Sequence, residues 1–308
     1  MTIQTATRRE KRLPSWLRRN IPLLNECTRI EGVVRRLRLH TICREGLCPN
    51  RAECYARGKV TFMVLGDACT RGCRFCSVEK GSPRPPDPGE PERIARAAHE
   101  LGLGHVIVTS VTRDDLPDGG STHYAAVIRA LRDVTPPPVI EVLVPDFGGD
   151  LRALAFVVAA GPDIVSHNME TVRRLYGDVR RGADYERSLR LLHEAKNVHK
   201  EVMTKSSFML GLGETMDEVI EALMDLRRVD CDFVALGQYL RPGMDQMPVQ
   251  EYIPPERFSW LEREAYGMGF REATAGPLVR SSYQENRLYT PSTGGAPRGA
   301  HDARRISL

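Results

Sequence analysis

Six of the eight cysteines in this chain form two triplets whose spacing suits iron–sulfur chemistry. The first triplet is Cys43, Cys48 and Cys54, and the second triplet is Cys69, Cys73 and Cys76. Three thiolates hold three irons of a [4Fe–4S] cube, whereas a cluster used only for electron transfer normally takes four cysteines. An open fourth iron can bind a substrate or cofactor directly, so the spacing favours a site for chemistry. We expect Arg71 and Arg74, beside the second triplet, to offset part of the cluster's negative charge.

Two other uses of clustered cysteines fit this spacing less well. Disulfides form in oxidising compartments, and the chain shows neither an apolar leader nor the paired framework of a small secreted domain. A structural zinc site takes four Cys or His ligands, usually as two short pairs, and is the stronger alternative, but neither triplet has a fourth ligand nearby. Cys27 and Cys231 lie outside both triplets, and we expect each to be a small buried apolar residue.

The second triplet resembles the cluster motif of the radical S-adenosylmethionine (SAM) superfamily. It has the order Cys-x3-Cys-x2-Cys with Phe75 before the last cysteine, and it follows the apolar run Thr61-Phe-Met-Val-Leu-Gly66. The first triplet, Cys-x4-Cys-x5-Cys, is similar to the auxiliary-cluster motif of the lipoyl synthase branch. Three later stretches agree with that branch: His167-Asn-Met-Glu-Thr171, Gly211-Leu-Gly-Glu-Thr215 and Arg280-Ser-Ser-Tyr283. The resemblance runs from about Pro14 to Tyr283.

The resemblance implies that SAM binds the open iron of the second triplet and is cleaved there to a 5′-deoxyadenosyl radical, which can abstract hydrogen from an unactivated C–H bond. Phe75 and the backbone around Val78 are expected to hold the adenine, Asn168 and Glu170 the ribose or amino group, and Thr109 and Ser110 the methionine part. Two alternatives stay open: Asn168 and Glu170 could instead cap a helix, and Ser110 could be an ordinary turn serine. Gly211 and Gly213 predict a close approach of backbone to the cofactor.

The resemblance assigns the first triplet a different role, as an auxiliary [4Fe–4S] cluster that donates sulfur. Lipoyl synthases insert two sulfur atoms at C6 and C8 of an octanoyl chain carried on a lysine, and they use two molecules of SAM. A serine of the Arg280–Tyr283 motif completes the cluster, and we favour Ser282 over Ser281. An alkoxide is a harder and more labile iron ligand than a thiolate, which suits a cluster that must be opened. The catalytic residues are then Cys69, Cys73, Cys76 and Ser282. Tyr55 and the residues after Tyr283 depart from the family pattern, which leaves carrier docking and carboxyl-terminal packing open.

The implied partners are octanoylated lipoyl carrier domains, namely the glycine cleavage H protein and E2 subunits of 2-oxoacid dehydrogenases, with a low-potential electron donor and an iron–sulfur cluster carrier. Two other functions stay open. One is sulfur insertion into a free small molecule, as in biotin formation. The other is an iron–sulfur electron-transfer or scaffold protein, which would show four cysteines at each site.

Charge and hydropathy restrict the setting. Residues 1–20 carry six cations against Glu10, a local net charge of +5, and the whole chain carries +4, so the remainder is near neutral. This basic arm is either a solvated leader or a docking surface for an acidic partner. It lacks the aromatic pattern of a nucleic-acid site, and no apolar run approaches a membrane span. We therefore expect a cytoplasmic protein without nucleic acid or membrane as partner. The Gly- and Pro-rich end from about Thr290 should be disordered.

Apolar runs alternate with segments of helical period, which is typical of an α/β fold. The runs predict strands at 60–66, 105–110, 139–144, 163–167, 202–210 and 232–239, and the segments between and after them predict helices at 90–102, 121–133, 150–160, 184–197, 214–229 and 255–268. Six β/α units with such apolar strands indicate a parallel sheet covered by helices, as in a partial (β/α)6 TIM-like barrel of the radical SAM type. We expect a cluster-binding extension at 1–58, the barrel at 59–272 and, at 273–308, a segment that closes over the mouth.

Overall fold

The structure, a computed structural model, describes residues 12–18 and 27–282. Its strands within these ranges are β1 (His40–Thr41), β2 (Thr61–Val64), β3 (Ala68–Cys69), β4 (Glu79–Lys80), β5 (His105–Ser110), β6 (Val139–Leu143), β7 (Ile164–Ser166), β8 (Met203–Leu210), β9 (Phe233–Gln238) and β10 (Glu272–Gly276). Its α-helices are α1 (Thr28–Arg36), α2 (Ile42–Glu45), α3 (Arg51–Ala56), α4 (Glu90–Leu101), α5 (Ser121–Arg132), α6 (Leu151–Ala159), α7 (Tyr176–Val179), α8 (Tyr185–Val198), α9 (Met216–Arg228) and α10 (Pro255–Gly267).

The main sheet has the strand order β1-β2-β5-β6-β7-β8-β9-β10. From β2 to β10 every neighbouring pair is parallel, and β1 pairs antiparallel with β2. Within the described residues, β1 and β10 do not pair with each other, so the barrel is open on one side. The predicted partial barrel is confirmed, with all six predicted strands and all six predicted helices present. Strand β10 extends it by one parallel strand that the sequence pattern did not predict.

The strands are apolar because helices cover the sheet from outside while the barrel interior fills from within. Val106 and Val108 of β5 are fully buried, and so are Ala97, Tyr124 and Val127 on helices α4 and α5. Local signals fix where the helices begin and end. Helix α4 ends at Gly102, whose φ of 64° suits a left-handed C-cap, and α9 begins with a capping box formed by Thr215 and Glu218.

Four polar side chains from neighbouring strands meet inside the barrel. The Glu141 carboxylate lies 2.9 Å from the Lys205 ammonium and 3.3 Å from His105 Nε2. It also accepts a hydrogen bond of 2.8 Å from the Ser166 hydroxyl. Burial opposes ionisation of Glu141, but Lys205 and His105 outweigh it and lower the pKa of Glu141 to about 2. This network ties β5, β6, β7 and β8 together below the site.

Two segments outside the barrel meet at its mouth, the edge where the parallel strands end. The amino-terminal extension (α1, β1, α2 and α3) packs against the first strands, and the chain after β10 crosses the end of β9. Asn50 joins them, because its side-chain amide donates a 2.6 Å hydrogen bond to the carbonyl of Leu278. Gly237 of β9 makes the crossing possible, since a Cβ there would lie 1.9 Å from the Val279 carbonyl oxygen. The described end of the carboxyl-terminal segment, residues 279–282, lines the mouth, and the rest of the predicted closing segment lies outside the described residues.

The described helices include none that is both long and apolar enough to traverse a lipid bilayer. Of the basic arm, Arg12 and Arg18 are described and exposed, whereas Arg8, Arg9, Lys11 and Arg19 lie outside the described residues. The predicted disordered tail and Tyr283 also lie outside them.

Candidate active site

A cavity of about 320 Å³ opens at the carboxyl ends of the strands, and we call it the mouth cavity. It collects residues from both cysteine triplets and from the carboxyl-terminal segment. Its walls include these predicted site residues: Cys43, Cys48, Cys69, Cys73, Phe75, Cys76, Val78, Thr109, Ser110, Asn168, Glu170, Ser281 and Ser282. Segments far apart in sequence therefore converge on one space, as their positions after successive strands predict.

The second triplet lies on a loop that leaves the end of β2. Leu65 and Gly66 turn the chain there with φ values of 67° and 96°. The Cys69 sulfur accepts backbone N–H groups from Arg71 at 3.4 Å and from Thr112 at 3.3 Å. Gln246 holds the far end of the loop, since its amide donates to the Cys76 carbonyl at 3.3 Å. The loop thus presents its three sulfurs to the cavity from a fixed backbone.

Burial raises the pKa of Cys73, and it raises that of Cys76 to about 12. These thiols need a metal to become thiolates, since coordination removes the proton that burial retains. In the described part of the chain, no three His, Cys, Asp or Glu side chains converge closely enough to hold a single metal ion. A four-iron cube needs a wider arrangement, because each thiolate binds a different iron. The three cysteines of this loop match the ligand set of a cube with one open iron.

The expected role of Arg71 and Arg74 is supported only for Arg71, whose positive charge acts to lower the pKa of Cys73 against the effect of burial. The Arg71 guanidinium lies 2.7 Å from both Asp114 and Asp146, and Arg74 pairs with Asp178. Both charges are therefore partly compensated by carboxylates.

Arg180, which sequence reasoning missed, is placed for that role. It lines the mouth cavity and donates a 2.7 Å hydrogen bond to the Asn168 carbonyl. Burial disfavours its charge, but Tyr176, Glu170 and Cys73 raise the pKa of Arg180 above its ordinary value. Arg180 is thus a half-buried permanent cation facing the second triplet. It stands in no motif, so no sequence signal marked it.

Asn168 and Glu170 act as a pair on the cavity wall. The Asn168 side-chain amide nitrogen donates to the Glu170 carboxylate at 2.9 Å, and the Asn168 side-chain oxygen Oδ1 is buried without a hydrogen-bond partner. Neither residue caps a helix, because the next helical turn begins at Arg173 with Val172 before it. Glu170 has a φ of 66°, and β8 fixes this strained backbone by hydrogen bonds of 2.9 Å from Glu170 N–H to the Ser207 carbonyl and 2.8 Å from Met209 N–H to the Glu170 carbonyl. Burial raises the pKa of Glu170. The pair therefore offers a side-chain oxygen and a carboxyl group to the mouth cavity.

Four other predicted contacts also line the mouth cavity. Phe75 and Val78 give it an apolar wall beside the second triplet. The Thr109 hydroxyl donates to the Leu143 carbonyl at 3.1 Å, so its oxygen is left to accept. The Ser110 hydroxyl is buried and makes no hydrogen bond of ordinary geometry. Ser110 is the last residue of β5 and lines the cavity, so it lies in a strand and not in a turn.

The interpretation of Gly211 and Gly213 as a cofactor approach is wrong. Neither lines the mouth cavity. A Cβ on Gly211 would meet both the Gln238 side chain and the Glu251 carbonyl at 2.3 Å, so packing within the protein requires this glycine.

Both ring nitrogens of His167 are bonded within the protein. Nδ1 donates to the Val144 carbonyl at 2.8 Å, and Nε2 lies 2.9 Å from the Ser188 hydroxyl. Burial, with Arg180 nearby, lowers the pKa of His167 to about 4, so its ring is neutral.

The first triplet faces a second cavity of about 290 Å³, which we call the base cavity because it reaches the starts of β2 and β5. Cys43 lies in α2, Cys54 in α3, and Cys48 between them. All three line the base cavity together with Ser282 and Arg280. Ser281 lines only the mouth cavity, so Ser282 is the serine that shares a space with the whole first triplet. Burial raises the pKa of Cys43 to about 11.

Cys27 and Cys231 are buried, as predicted. The Cys27 sulfur donates to the Ala52 carbonyl at 3.3 Å, and Cys231 is fully buried among apolar residues beside β9. Tyr55, which departs from the family pattern, is buried and bonded to the Thr41 hydroxyl at 2.8 Å. It packs the extension and does not line either cavity.

Comparison with known proteins agrees with this geometry. Residues 63–226 match the family model of the radical SAM superfamily, and residues 2–48 match that of the N-terminal domain of lipoyl synthase. The lipoyl synthase of Thermus thermophilus is 49% identical over 286 residues, which is 92% of this chain and 88% of the relative. That of Trichlorobacter lovleyi is 53% identical over 275 residues, or 89% and 97% of the two chains.

Solved structures resemble the chain in fold. The [FeFe]-hydrogenase maturase HydG gives a TM-score of 0.55 at 14% identity over 68% of this chain, which spans about half of HydG (49%). Methylornithine synthase (PylB) gives a TM-score of 0.51 at 14% identity, covering 80% of this chain and 77% of that one.

Proposed function

Because the chain belongs to the lipoyl synthase family of the radical SAM superfamily, we propose that it inserts two sulfur atoms at C6 and C8 of a protein-bound octanoyl chain. The observation that carries the proposal is the mouth cavity, in which residues of both cysteine triplets face one space. A reaction that joins a radical on one side to sulfur on the other needs such an arrangement. The chain divides, in this proposal, into the extension 1–58, the barrel 59–272 and the closing segment 273–308.

Cys69, Cys73 and Cys76 would hold the radical SAM cluster. When bound there, a [4Fe–4S] cluster with one open iron chelates SAM and supplies the electron that releases a 5′-deoxyadenosyl radical. Arg180 stabilises negative charge beside Cys73 in this buried site. Because the loop is fixed by backbone hydrogen bonds, its sulfurs need little rearrangement on binding.

The chain's own groups would bind and orient SAM. Asn168 and Glu170 offer an unsatisfied amide oxygen and a half-buried carboxylate to a cationic amino acid or a ribose. Phe75 and Val78 offer an apolar wall for the adenine, while Thr109 and Ser110 offer hydroxyl oxygens for the methionine part. Enclosure between the barrel and the closing segment excludes water from the radical.

Cys43, Cys48, Cys54 and Ser282 would hold the auxiliary cluster. When bound there, this second [4Fe–4S] cluster supplies both sulfur atoms of the product, and two molecules of SAM are used for each lipoyl group. Ser282 is the hydroxyl beside all three cysteines, which supports it over Ser281. The apolar residues Met63, Leu143, Met209 and Val279 also line the mouth cavity and suit an octanoyl chain.

The substrate is a lipoyl carrier protein, in keeping with the family. The glycine cleavage H protein and the E2 subunits of 2-oxoacid dehydrogenases are the carriers that we propose, with a low-potential electron donor and an iron–sulfur cluster carrier as further partners. The six cluster cysteines form no disulfide, and thiols in this state require a reducing compartment, which we take to be the cytoplasm.

Iron counting with two sets of cysteine variants tests the proposal. The reconstituted chain should bind about eight irons, and either triplet changed to alanine should leave about four. Loss of Cys69, Cys73 and Cys76 should abolish SAM cleavage. Loss of Cys43, Cys48 and Cys54 should preserve cleavage and abolish dithiolated product. A dithiolated product from the second variant would exclude the first triplet as the sulfur source.

A further inference from the structure

Two side chains at the edge of the mouth cavity are the most exposed large apolar groups in the described part of the chain. Met244 is 73% exposed and Leu47 is 58% exposed, whereas the other exposed apolar groups there reach at most 43%. Leu47 lines the mouth cavity, and so do Leu240 and Pro242 on the loop that carries Met244. We call Leu47 and Met244 the rim pair. A single exposed apolar residue needs no explanation, but two beside one cavity indicate a surface that another molecule covers.

Hydrogen bonds place the rim pair on either side of the loop that carries the second triplet. The Ser77 hydroxyl donates at 2.9 Å to the carbonyl of Glu45, which lies two residues before the leucine of the pair. The Cys76 carbonyl accepts at 3.3 Å from the side-chain amide of Gln246, which lies two residues after the methionine. Because Cys76 and Ser77 are neighbours, the rim pair flanks one short stretch of the cavity's edge.

Both members of the rim pair lie on backbone that is held in place. Leu47 has a φ of 47°, in the left-handed region that leucine rarely adopts, and its N–H donates to the Arg44 carbonyl at 3.1 Å. The Arg241 guanidinium donates to the Met244 carbonyl and, at 2.8 Å, to the Gln246 carbonyl. Since the backbone is already fixed at both points, little conformational entropy is lost when these side chains are covered.

Two arginines beside the rim pair are paired within the chain. Arg44 Nε lies 3.5 Å from the Glu45 carboxylate, and Arg74 pairs with Asp178. Such pairs leave little net charge to attract a partner. A contact at this edge therefore draws mainly on burial of apolar surface, which does not depend on the screening of charges by salt.

A protein-bound octanoyl chain brings its carrier to this edge. An extended octanoyl-lysine arm has about 13 bonds from the lysine Cα to C8 and spans about 16 Å. With the octanoyl part inside the mouth cavity, only the lysine side chain, about 6 Å long, separates the cavity from the carrier's backbone. The folded surface around the modified lysine must then touch the edge of the cavity.

We propose that the rim pair is a docking contact for the octanoylated carrier domain and packs against apolar side chains next to the carrier's modified lysine. The inference rests on the proposed function, which supplies a protein-bound octanoyl chain as the substrate. A short octanoyl-lysine peptide has no folded surface that could cover the rim pair. The contact therefore adds affinity only for the carrier and favours a carrier-bound octanoyl chain over a free one.

Two substitutions remove the apolar groups without adding charge. Met244→Gln keeps the length of the side chain, and Leu47→Asn suits the backbone, because Asn tolerates the left-handed region. Met224→Gln is the matched control, since Met224 is also exposed but lies on helix α9, outside the barrel. Each protein is reconstituted and its iron is counted, because Leu47 precedes the cluster ligand Cys48. Met244 is not adjacent to any cluster ligand, so its variant tests the contact alone.

Calorimetric titration with the octanoylated glycine cleavage H protein at low and high salt measures the contact. Met244→Gln and Leu47→Asn should each raise the Kd by about threefold to tenfold, and the double variant should raise it further. The salt slope should match that of the unchanged chain, because no charge is altered. Met224→Gln should leave the Kd unchanged. In turnover, the KM for the carrier should rise at constant kcat, while both constants for an octanoyl-lysine peptide and the rate of SAM cleavage stay the same.

Three results would contradict the docking contact. If Met244→Gln binds the carrier as tightly as Met224→Gln does, the rim pair is not part of the interface. If carrier and peptide are affected alike, the pair only shapes the cavity. If carrier affinity is unchanged but sedimentation shows a new oligomeric state, a second copy covers the rim pair; if proteolysis within residues 283–308 increases instead, the chain's own end does.

Failure of the proposed function would look different. In each of the three results above, the loaded unchanged chain still forms dithiolated product from the carrier or the peptide. If it forms none from either, the proposed function is wrong, whatever the rim pair binds.

Discussion

Ser282 is the side chain on which the assignment of the auxiliary site depends most. It lines both cavities beside the first triplet, whereas Ser281 faces only the mouth cavity. Ser282→Ala should therefore lower occupancy or alter the spectrum of the auxiliary cluster and reduce sulfur insertion by at least about tenfold, since an open iron is left to water. SAM cleavage at the second triplet should continue. Electron paramagnetic resonance and iron content of the reconstituted protein check this.

The matched control is Ser281→Ala, which removes a neighbouring hydroxyl of the same segment. It should keep the auxiliary spectrum and most of the activity. Ser282→Cys should retain the cluster, because a thiolate also binds iron, but should slow sulfur release, because it holds iron more firmly. Equal effects of the two alanine substitutions would show that the hydroxyls only pack the segment.

At the residue scale, spacing predicted the cysteines but not their electrostatic surroundings. Cluster ligands occur at short intervals on one loop, so their pattern is local and visible in the sequence. The cation that acts most strongly on Cys73 is Arg180, which reaches the site from the end of α7, and Arg71 adds a smaller effect. Arg71 and Arg74 lie among the cysteines of the second triplet in sequence, yet their side chains pair with carboxylates from other loops. Which arginine stays near a cluster depends on those distant partners, which a single sequence does not reveal.

At the element scale, apolar periodicity located the six strands that are buried on both faces. The apolar pattern did not predict strand β10, because its residues, Glu272–Gly276, form no apolar run and only Ala273 among them is fully buried. Strand β1 has two residues and pairs at an edge. Gly211 was misread because a glycine required by packing against Gln238 looks, in sequence, like one required by a ligand. Strand pattern thus predicted the frame, while edge strands and close approaches depended on tertiary contacts.

The charged interior of the barrel predicts a pH dependence of stability. The folded protein lowers the pKa of Glu141 from 4.5 to about 2, so it binds fewer protons at this group than the unfolded chain does between those values. The stabilisation is therefore present above about pH 4.5 and is lost as the pH falls towards 2. Glu141→Gln should flatten this part of the urea-unfolding profile. It should also cost about 3 kcal/mol at neutral pH, because Lys205 loses its buried partner.

Glu100→Gln is the control for Glu141. Glu100 pairs with Arg96 and Arg36 at the exposed end of α4, where solvent screens the interaction. Its substitution should change little at any pH. An acid profile of Glu141→Gln parallel to that of the unchanged chain would mean that the interior network contributes no linked proton binding.

The crossing of the closing segment over β9 gives a second prediction at this scale. In Gly237→Ala the new Cβ would lie 1.9 Å from the Val279 carbonyl oxygen and 3.2 Å from the Arg280 guanidinium. Backbone cannot yield as a side-chain end does, so the segment should move off the mouth and take Ser282 with it. The auxiliary cluster should then show the spectral change of Ser282→Ala although its ligands are intact. Gly267→Ala, with open space around it, should leave the spectrum unchanged.

At the scale of the whole molecule, the formal charge is concentrated at one end of the chain. Residues 1–20 carry a net charge of +5, and the whole chain carries +4, so the remaining residues together carry −1. Exposed like charges speed the encounter with an opposite partner and add salt dependence to binding. Removal of residues 1–12 deletes Arg8, Arg9, Lys11 and Arg12 and spares Trp16 and Leu17, of which Leu17 is buried. An octanoylated carrier should then bind more weakly and with a smaller salt slope.

Length and charge must be separated for that result to bear on docking. The full-length chain with the same four cations changed to glutamine keeps the arm and removes only its charge, so it should reproduce the truncation. Calorimetric titration with the carrier at low and high salt gives both the affinity and the slope. If both proteins match the unchanged chain, the arm is a solvated leader and the carrier is recognised elsewhere. SAM cleavage should persist in every case, since the second triplet and its wall belong to the barrel mouth.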